Sequence, residues 1–333
     1  MYYSVLSPNE TRVLLDYQQT YQAYLAAKDS EAAFAGGMTW KTVNGADYLI
    51  RITQRRGGNK SLGRRSAETE QIFQDYHAGK IRVKARVASL KETVREFAGM
   101  SVGLRLNRVP SVTAAILRKL DEFGLLGKNL QVIGTHALYG YESTAGVRFD
   151  AGLLATNDVD FMWDSTARLK LAQFDDEVRQ AGVLALLQKV DRSFEPVRAE
   201  SFRAVNKHGF YVDLVRAAPN PPWKSAVPTK ISANDITPAE IFNLKWLLAS
   251  PKFRAIVIAQ DGLPAPLVAP DPRAFAVYKQ WLSQQPDREP LKRKRDALQA
   301  AAVADMVRQQ LPYLAFDEPF ARIFPAAVRE FEL

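Results

Sequence analysis

Apolar and aromatic side chains recur at helical spacing between Asn9 and Ala27, at Val13, Leu14, Tyr17, Tyr21 and Leu25, behind a cap signal at Ser7 to Glu10. This predicts a helix ending near Lys28. The period then changes. Trp40 to Val43 and Tyr48 to Thr53 are short strand-like runs around Asn44-Gly45, two residues that tolerate positive φ, so a hairpin is expected. Between Ser66 and Phe97 two periods compete. Ile81, Val83, Ala85 and Val87 alternate with Arg82, Lys84 and Arg86, whereas Ile72, Phe73, Tyr76, Leu90, Val94 and Phe97 suit one apolar stripe. The cap formed by Ser66 with Thr69 and Glu70 decides for a helix. A further helix is expected from about Ser111 to Phe123.

The apolar run Leu130-Gln131-Val132-Ile133 reads as a short buried strand, ending at Gly134-Thr135 and feeding a helix that begins near His136. Two more strands follow, over Asp158-Val159-Asp160-Phe161 and over Phe210 to Val215, and Ala217-Ala218-Pro219-Asn220-Pro221-Pro222 breaks the chain. Downstream, Pro238 to Ser250 reads as a helix, and Ala255 to Ala259 and Pro266 to Ala269 as short strands around Asp261-Gly262. Helices are expected to start at Asp271-Pro272 and at Pro290. The fold class is therefore mixed α+β, a small mixed sheet with helices. Three parts are expected: a helix and hairpin module over 1–104, a core over 105–225, and a mainly helical region over 226–333.

The chemistry concentrates in the middle part. A strand, a tight turn and a helix start present backbone N–H groups and the positive end of a helix dipole, which favour phosphate, at Gly134 and Thr135. Alternation places Asp158 and Asp160 on one strand face, with Val159 and Phe161 on the other. Asp213 sits between Val212 and Leu214 in an apolar strand, where an acid is costly to bury unless it is paired or binds a metal. Three such carboxylates suit two divalent ions. Three clustered like charges also repel, so replacing any of them with Asn is expected to leave metal-free stability unchanged or to raise it. His136 reads as a packing residue beside the turn rather than a base.

This ordered set resembles the DNA polymerase β-like nucleotidyltransferase superfamily, over roughly residues 128–216. Two departures stand out: Thr135 occupies the position usually held by Ser, and the segment from Gly140 to Ala155 is longer than in minimal members, so a loop over the site is expected. Lys279 on one helix and the basic run Lys292 to Asp296 on the next resemble the C-terminal part of abortive-infection toxins of the AbiEii kind, which are nucleotidyltransferases. The resemblance implies an enzyme that moves a nucleoside monophosphate from an NTP to an acceptor hydroxyl, releasing pyrophosphate. Asp158, Asp160 and Asp213 would be the catalytic and metal-binding residues, holding two Mg2+ ions, for which Mn2+ can substitute. Gly134, Thr135, Lys279, Lys294 and Arg295 would bind the nucleotide. The 3′ end of RNA or tRNA would suit the basic surface as acceptor, while a protein side chain or small metabolite would use the same metals, and a small cognate partner protein and a toxin or defence role are further implications.

Composition narrows the setting. The 333 residues contain no cysteine, which excludes disulfides, thiolate zinc sites and a Cys nucleophile. The first eight residues show no basic segment followed by an apolar core, and no apolar run approaches membrane-spanning length, so a cytoplasmic location is expected and no membrane partner. The net charge of +9 suits an acidic partner such as nucleic acid and equally suits solubility. The densest basic stretch is the loop Gly57 to Gly63, with Arg51, Arg55, Arg56 and Lys60 before or within it and Arg64 and Arg65 after. It reads either as an RNA contact or as a solvated loop. Other function classes stay open: a glycosyltransferase using Asp158-Val159-Asp160 alone, a catalytically silent RNA-binding module, and a structural protein, which leaves Asp213 unexplained.

Overall fold

The computed structural model describes residues 2–53, 58–164, 176–219 and 235–329. In chain order the elements are β1 (Tyr3–Val5), α1 (Pro8–Ala33), β2 (Gly37–Val43), β3 (Ala46–Ile52), β4 (Lys60–Arg64), α2 (Ala67–Gly103) and α3 (Ser111–Glu122). Then come β5 (Leu130–Ile133), α4 (Ala137–Ala145), β6 (Val147–Phe149), α5 (Ala151–Leu154), β7 (Asp158–Trp163), α6 (Asp176–Val190), β8 (Glu195–Pro196), β9 (Arg203–Val205) and β10 (Tyr211–Ala217). The chain continues through β11 (Ala239–Ile241), α7 (Lys245–Ala249), β12 (Lys252–Ile258), β13 (Pro264–Pro270), α8 (Pro272–Ser283), α9 (Pro290–Gln310), α10 (Glu318–Ala321) and α11 (Ala326–Arg329). The fold is mixed α+β, as the sequence implies. It forms two compact units, residues 12–104 and residues 1–11 with 105–333. Residues on both sides of the 225/226 boundary expected from the sequence lie in the second of these.

In the unit of residues 12–104, an antiparallel sheet of order β2-β3-β4 packs one face on a small core of Met38, Leu49 and Tyr76, ringed by Phe34, Trp40, Leu62 and Phe73. The Asn44-Gly45 turn has both residues at positive φ, 50° and 76°, the geometry that suits a two-residue hairpin. Helix α2 wins over strand in the alternating stretch: Ser66 caps it, with the Thr69 N–H bonded to the Ser66 hydroxyl and the Ser66 N–H to Thr69 Oγ1. One expectation fails here. The segment from Lys60 is not a loop but the third strand. A bulge opposite Leu49 and Ile50 turns Leu62 inward, so its apolar side chain gains the core. Arg55 and Arg56 lie outside the described residues.

In the larger unit a six-stranded sheet runs β5-β7-β10-β9-β8, with β11 added beside the end of β10. β7 and β10 are parallel, β5 and β9 antiparallel to their neighbours. Its core joins α3, α4, the β12–β13 hairpin and α9 through Leu117, Leu138, Phe161, Leu214, Leu267 and Val303, all essentially inaccessible. The stretch from Gly140 to Ala155, expected as a loop over the site, is the end of α4, then β6 and α5. It is drawn inward because Leu138, Tyr141, Val147, Phe149, Leu153 and Leu154 are apolar, and Gly146 at φ 64° turns the chain from α4 into β6. The single helix expected over Pro238 to Ser250 is instead β11, pairing in parallel with Val215 to Ala217, a turn with Asn243 at φ 63°, and the short α7. Among the described residues no helix is long and apolar enough to cross a membrane.

Candidate active site

The site grows from one row across the large sheet. Ile133 of β5 lies opposite Asp160 of β7, Asp160 opposite Asp213 of β10, and Asp213 opposite Arg203 of β9. Asp158 stands two residues before Asp160, on the same face. One oxygen from each of Asp158, Asp160 and Asp213 can be chosen so that all three lie within 4.8 Å of one another. Asp213 is buried, Asp158 and Asp160 half-buried, and Thr156 donates its hydroxyl to Asp158. Burial, followed by the like charges of Asp158 and Asp213, pushes the Asp160 carboxyl up to about 7.

The turn after β5 explains why glycine stands at 134. Its φ is 66°, and a Cβ built there would collide with the Asp160 carboxylate. Thr135 follows in a single 3-10 turn that leads into α4. Its hydroxyl accepts a hydrogen bond of 3.2 Å from Gln299 Nε2, which also donates to the Leu153 carbonyl at 2.8 Å. A hydroxyl that accepts in this way keeps its own proton to donate. His136 is fully buried, its Nε2 3.1 Å from Thr113 Oγ1, and burial pushes it down to about 4. It packs between Tyr139 and Phe210, in keeping with a packing residue.

A cleft of about 260 Å³ opens over this row. Gly134, Thr135, the three aspartates and Arg203 line one side, and Lys279, Arg288, Lys292 and Arg295 from α8, the following turn and α9 contribute cations. Ile241, Leu244, Tyr278 and Leu282 form an apolar stretch of wall. Of the residues expected to bind nucleotide, Gly134, Thr135, Lys279 and Arg295 come together here. Lys294 does not: it is exposed on α9 and does not line the cleft. Lys279 lines the cleft but its Nζ is committed, 2.6 Å from Asp296 Oδ1, with Arg288 donating 2.8 Å to the other oxygen of the same fully buried carboxylate. Burial lowers the Lys279 pKa, against the raising effect of Asp296.

Arg203 was not foreseen. It donates two bonds to Asp213, of 2.6 and 2.5 Å, and comes within 3.9 Å of Asp158. Its guanidinium lies 4.9 Å from the centre of the Tyr211 ring. The pairing distinguishes the aspartates, because Asp213 holds a bidentate cation and Asp160 does not, which argues against extending to Asp213 the expectation of unchanged or higher metal-free stability. The sequence holds Arg203 ten residues from Asp213 with Gly209 at φ 73° in the turn between them, so the β9–β10 hairpin was the only available signal. Gln299 and Asp296 were missed too, since both act from a helix far along the chain.

The donor set suits a hard divalent cation: three carboxylates, with no sulfur or nitrogen ligand in the group among the described residues, and burial together with like charges that raise Asp160. No curated protein and no solved structure is significantly similar to the chain. A family model described as nucleotidyltransferase matches residues 111–324, a span that holds every cleft residue named above. The chain belongs to this nucleotidyltransferase family.

Proposed function

We propose that the cleft transfers a nucleoside monophosphate from an NTP to an acceptor hydroxyl, and that the acceptor is the 3′ end of RNA. The observation that carries this reading is the carboxylate row facing a cationic wall across one cleft. Asp158, Asp160 and Asp213 would hold two Mg2+ ions, or Mn2+, which when bound neutralise triphosphate charge and lower the pKa of the attacking hydroxyl. The protein's own groups do the positioning, which is most of the work in phosphoryl transfer. Backbone N–H groups at the Gly134–Thr135 turn and the Thr135 hydroxyl hold a phosphate at the end of β5. Arg288, Lys292 and Arg295 balance the rest of the triphosphate. Lys279, tied to Asp296, anchors this wall rather than swinging freely, and its charge is felt at Asp160. Ile241, Leu244, Tyr278 and Leu282 offer the base an apolar surface.

Incubation with each labelled NTP, magnesium and total RNA tests this directly. Incorporation that needs metal and is lost in Asp158→Asn and Asp213→Asn is the expected result. Activity with a sugar nucleotide that survives Asp213→Asn would replace this reading with glycosyl transfer. No incorporation into RNA, protein or small acceptors with any of the four NTPs would leave a catalytically silent member of the family. A growth-arresting or defence role with a small cognate partner protein belongs to the same proposal, and expression of the chain with and without its neighbouring gene tests it.

A further inference from the structure

The unit of residues 12–104 lies outside the span matched by the family, and the cleft uses none of it. Its charge is lopsided: 15 Lys and Arg against nine Asp and Glu, a surplus of six out of the chain's nine. The inner face of its sheet is occupied by the Leu49 core. On the outer face no residue is fully buried. Register places Lys41 of β2, Tyr48 of β3 and Arg64 of β4 side by side in one row across it, with Thr39, Ile50 and Ser61 in the next row. Lys41 and Arg64 are exposed, and Val43 and Ile52 on the same face are 44% and 37% exposed.

The cations of this region divide sharply. Arg51 is used inward, donating to the carbonyls of Gly37 and Ala35 at 2.9 Å each, and Arg65 pairs with Asp47 and Glu70. Lys41 and Arg64 have no acidic partner among the described residues. The acid nearest Lys41 in sequence, Asp47, is on the opposite side of the sheet, taken by Arg65 and Thr42, and Glu68, the acid nearest Arg64, lies in the first turn of α2 and forms no ion pair with it among the described residues. An aromatic ring between two cations without acidic partners among the described residues, on a sheet face that carries no acid, is the chemistry that single-stranded nucleic acid recognises: phosphates go to the cations and a base stacks on the ring. Two strand spacings separate Lys41 from Arg64 by about 10 Å, enough for the backbone to cross the sheet over Tyr48. An acidic peptide would use the cations but has no base to place on the tyrosine.

We propose that the outer face of β2-β3-β4 is the docking surface for the single-stranded end of the RNA acceptor. This rests on the RNA reading of the cleft, but binding is read without nucleotide or metal, so the two fail separately. The experiment is fluorescence anisotropy of a labelled 12-nucleotide oligouridine with the full chain in EDTA over a salt series, with thermal melts to check each variant. Tyr48→Val keeps a strand-forming side chain and removes the ring. It should weaken binding about tenfold with the salt slope unchanged, as loss of one stacked base does. Lys41→Thr with Arg64→Thr should weaken binding and lower the salt slope by about 1.4, the value for two phosphates on a single strand. If RNA docking follows this pattern while no NTP is incorporated, the surface stands and the catalytic reading falls. Folded variants that bind RNA as wild type does would overturn the proposal. So would polyglutamate competing with RNA at equal affinity, or a Tyr48→Val variant that loses nothing, because either outcome reduces the face to a general cation patch.

Discussion

Two rows of side chains, each crossing a sheet, make opposite use of charge. In the larger unit Asp160, Asp213 and Arg203 stand in register under a cleft, and the positive partner is spent on only one of the two acids. In the smaller unit Lys41 and Arg64 flank Tyr48 on an exposed face, and neither has an acidic partner among the described residues. Desolvation makes the difference. An ion that water solvates can remain unpaired at little cost, whereas one held in a cleft shifts its pKa or demands a counter-ion. On the readings proposed above, the enclosed row reacts and the open row holds RNA.

The largest expected effect lies in the enclosed row. Asp160→Asn should cut labelled-nucleotide incorporation by about 10³-fold or more, the order seen when one preorganised charge is lost from a transition-state site. Its metal-free melting temperature should stay level or rise, because burial and like charges already disfavour the ionised form. A variant melting well below wild type without metal would make Asp160 a structural hydrogen-bonding residue and erase the contrast.

Arg203→Gln should do the reverse. Removing one partner of a partly buried, bidentate pair costs about 2 kcal/mol, measured by urea unfolding in EDTA, and Asp213→Asn should also lose stability there. Added magnesium should then raise the melting temperature of Arg203→Gln more than that of wild type, since Asp213 is freed. Equal magnesium shifts would show that the guanidinium and the metal do not compete.

A gentler test uses pH. Glu142 is buried beside Arg108, 2.7 Å from its Nε, yet burial outweighs that pairing and pushes the carboxyl up to about 7. Its folded pKa exceeds the ordinary 4.5, so the native state binds more protons between those values and stability falls as pH rises through that window. Asp160 acts with the same sign from 3.8 to about 7. Glu142→Gln and Asp160→Asn should each flatten part of the decline in unfolding free energy between pH 4.5 and 7. A profile as steep as wild type in both would contradict these shifts.

The smallest effect belongs to the other unit. Ser66→Ala removes the capping box of α2 and should cost about 1 kcal/mol, read by chemical denaturation, without altering magnesium binding. A changed metal affinity would tie the helix start to the cleft.

Much of this was legible in the sequence, and the reasons are local. Asn44-Gly45, the Ser66 cap, the Leu130 to Ile133 run and the Asp-Val-Asp strand each combine a turn or cap residue with a short period, so propensity and burial agree. The Gly134 turn and the aspartates that it touches were legible together for that reason. What failed was decided at a distance. β4 depends on a bulge that turns Leu62 toward a core assembled elsewhere, and β11 exists because β10 offers it an edge. The commitment of Lys279 to Asp296 required knowing that α8 and α9 lie against each other. Arg203 required the antiparallel register of β9 and β10.

Gln299 gives the site a history as well as a shape. Its amide reaches Thr135 across 164 residues of chain, and the carbonyl of Leu153 across 146. During synthesis the turn at Gly134 therefore emerges long before the helix that braces it, and both carboxylate strands precede the cationic wall. A growing chain carries its acids before Gln299 and the α9 cations exist, so the cleft can be completed only after α9 leaves the ribosome and packs against α4 and α5.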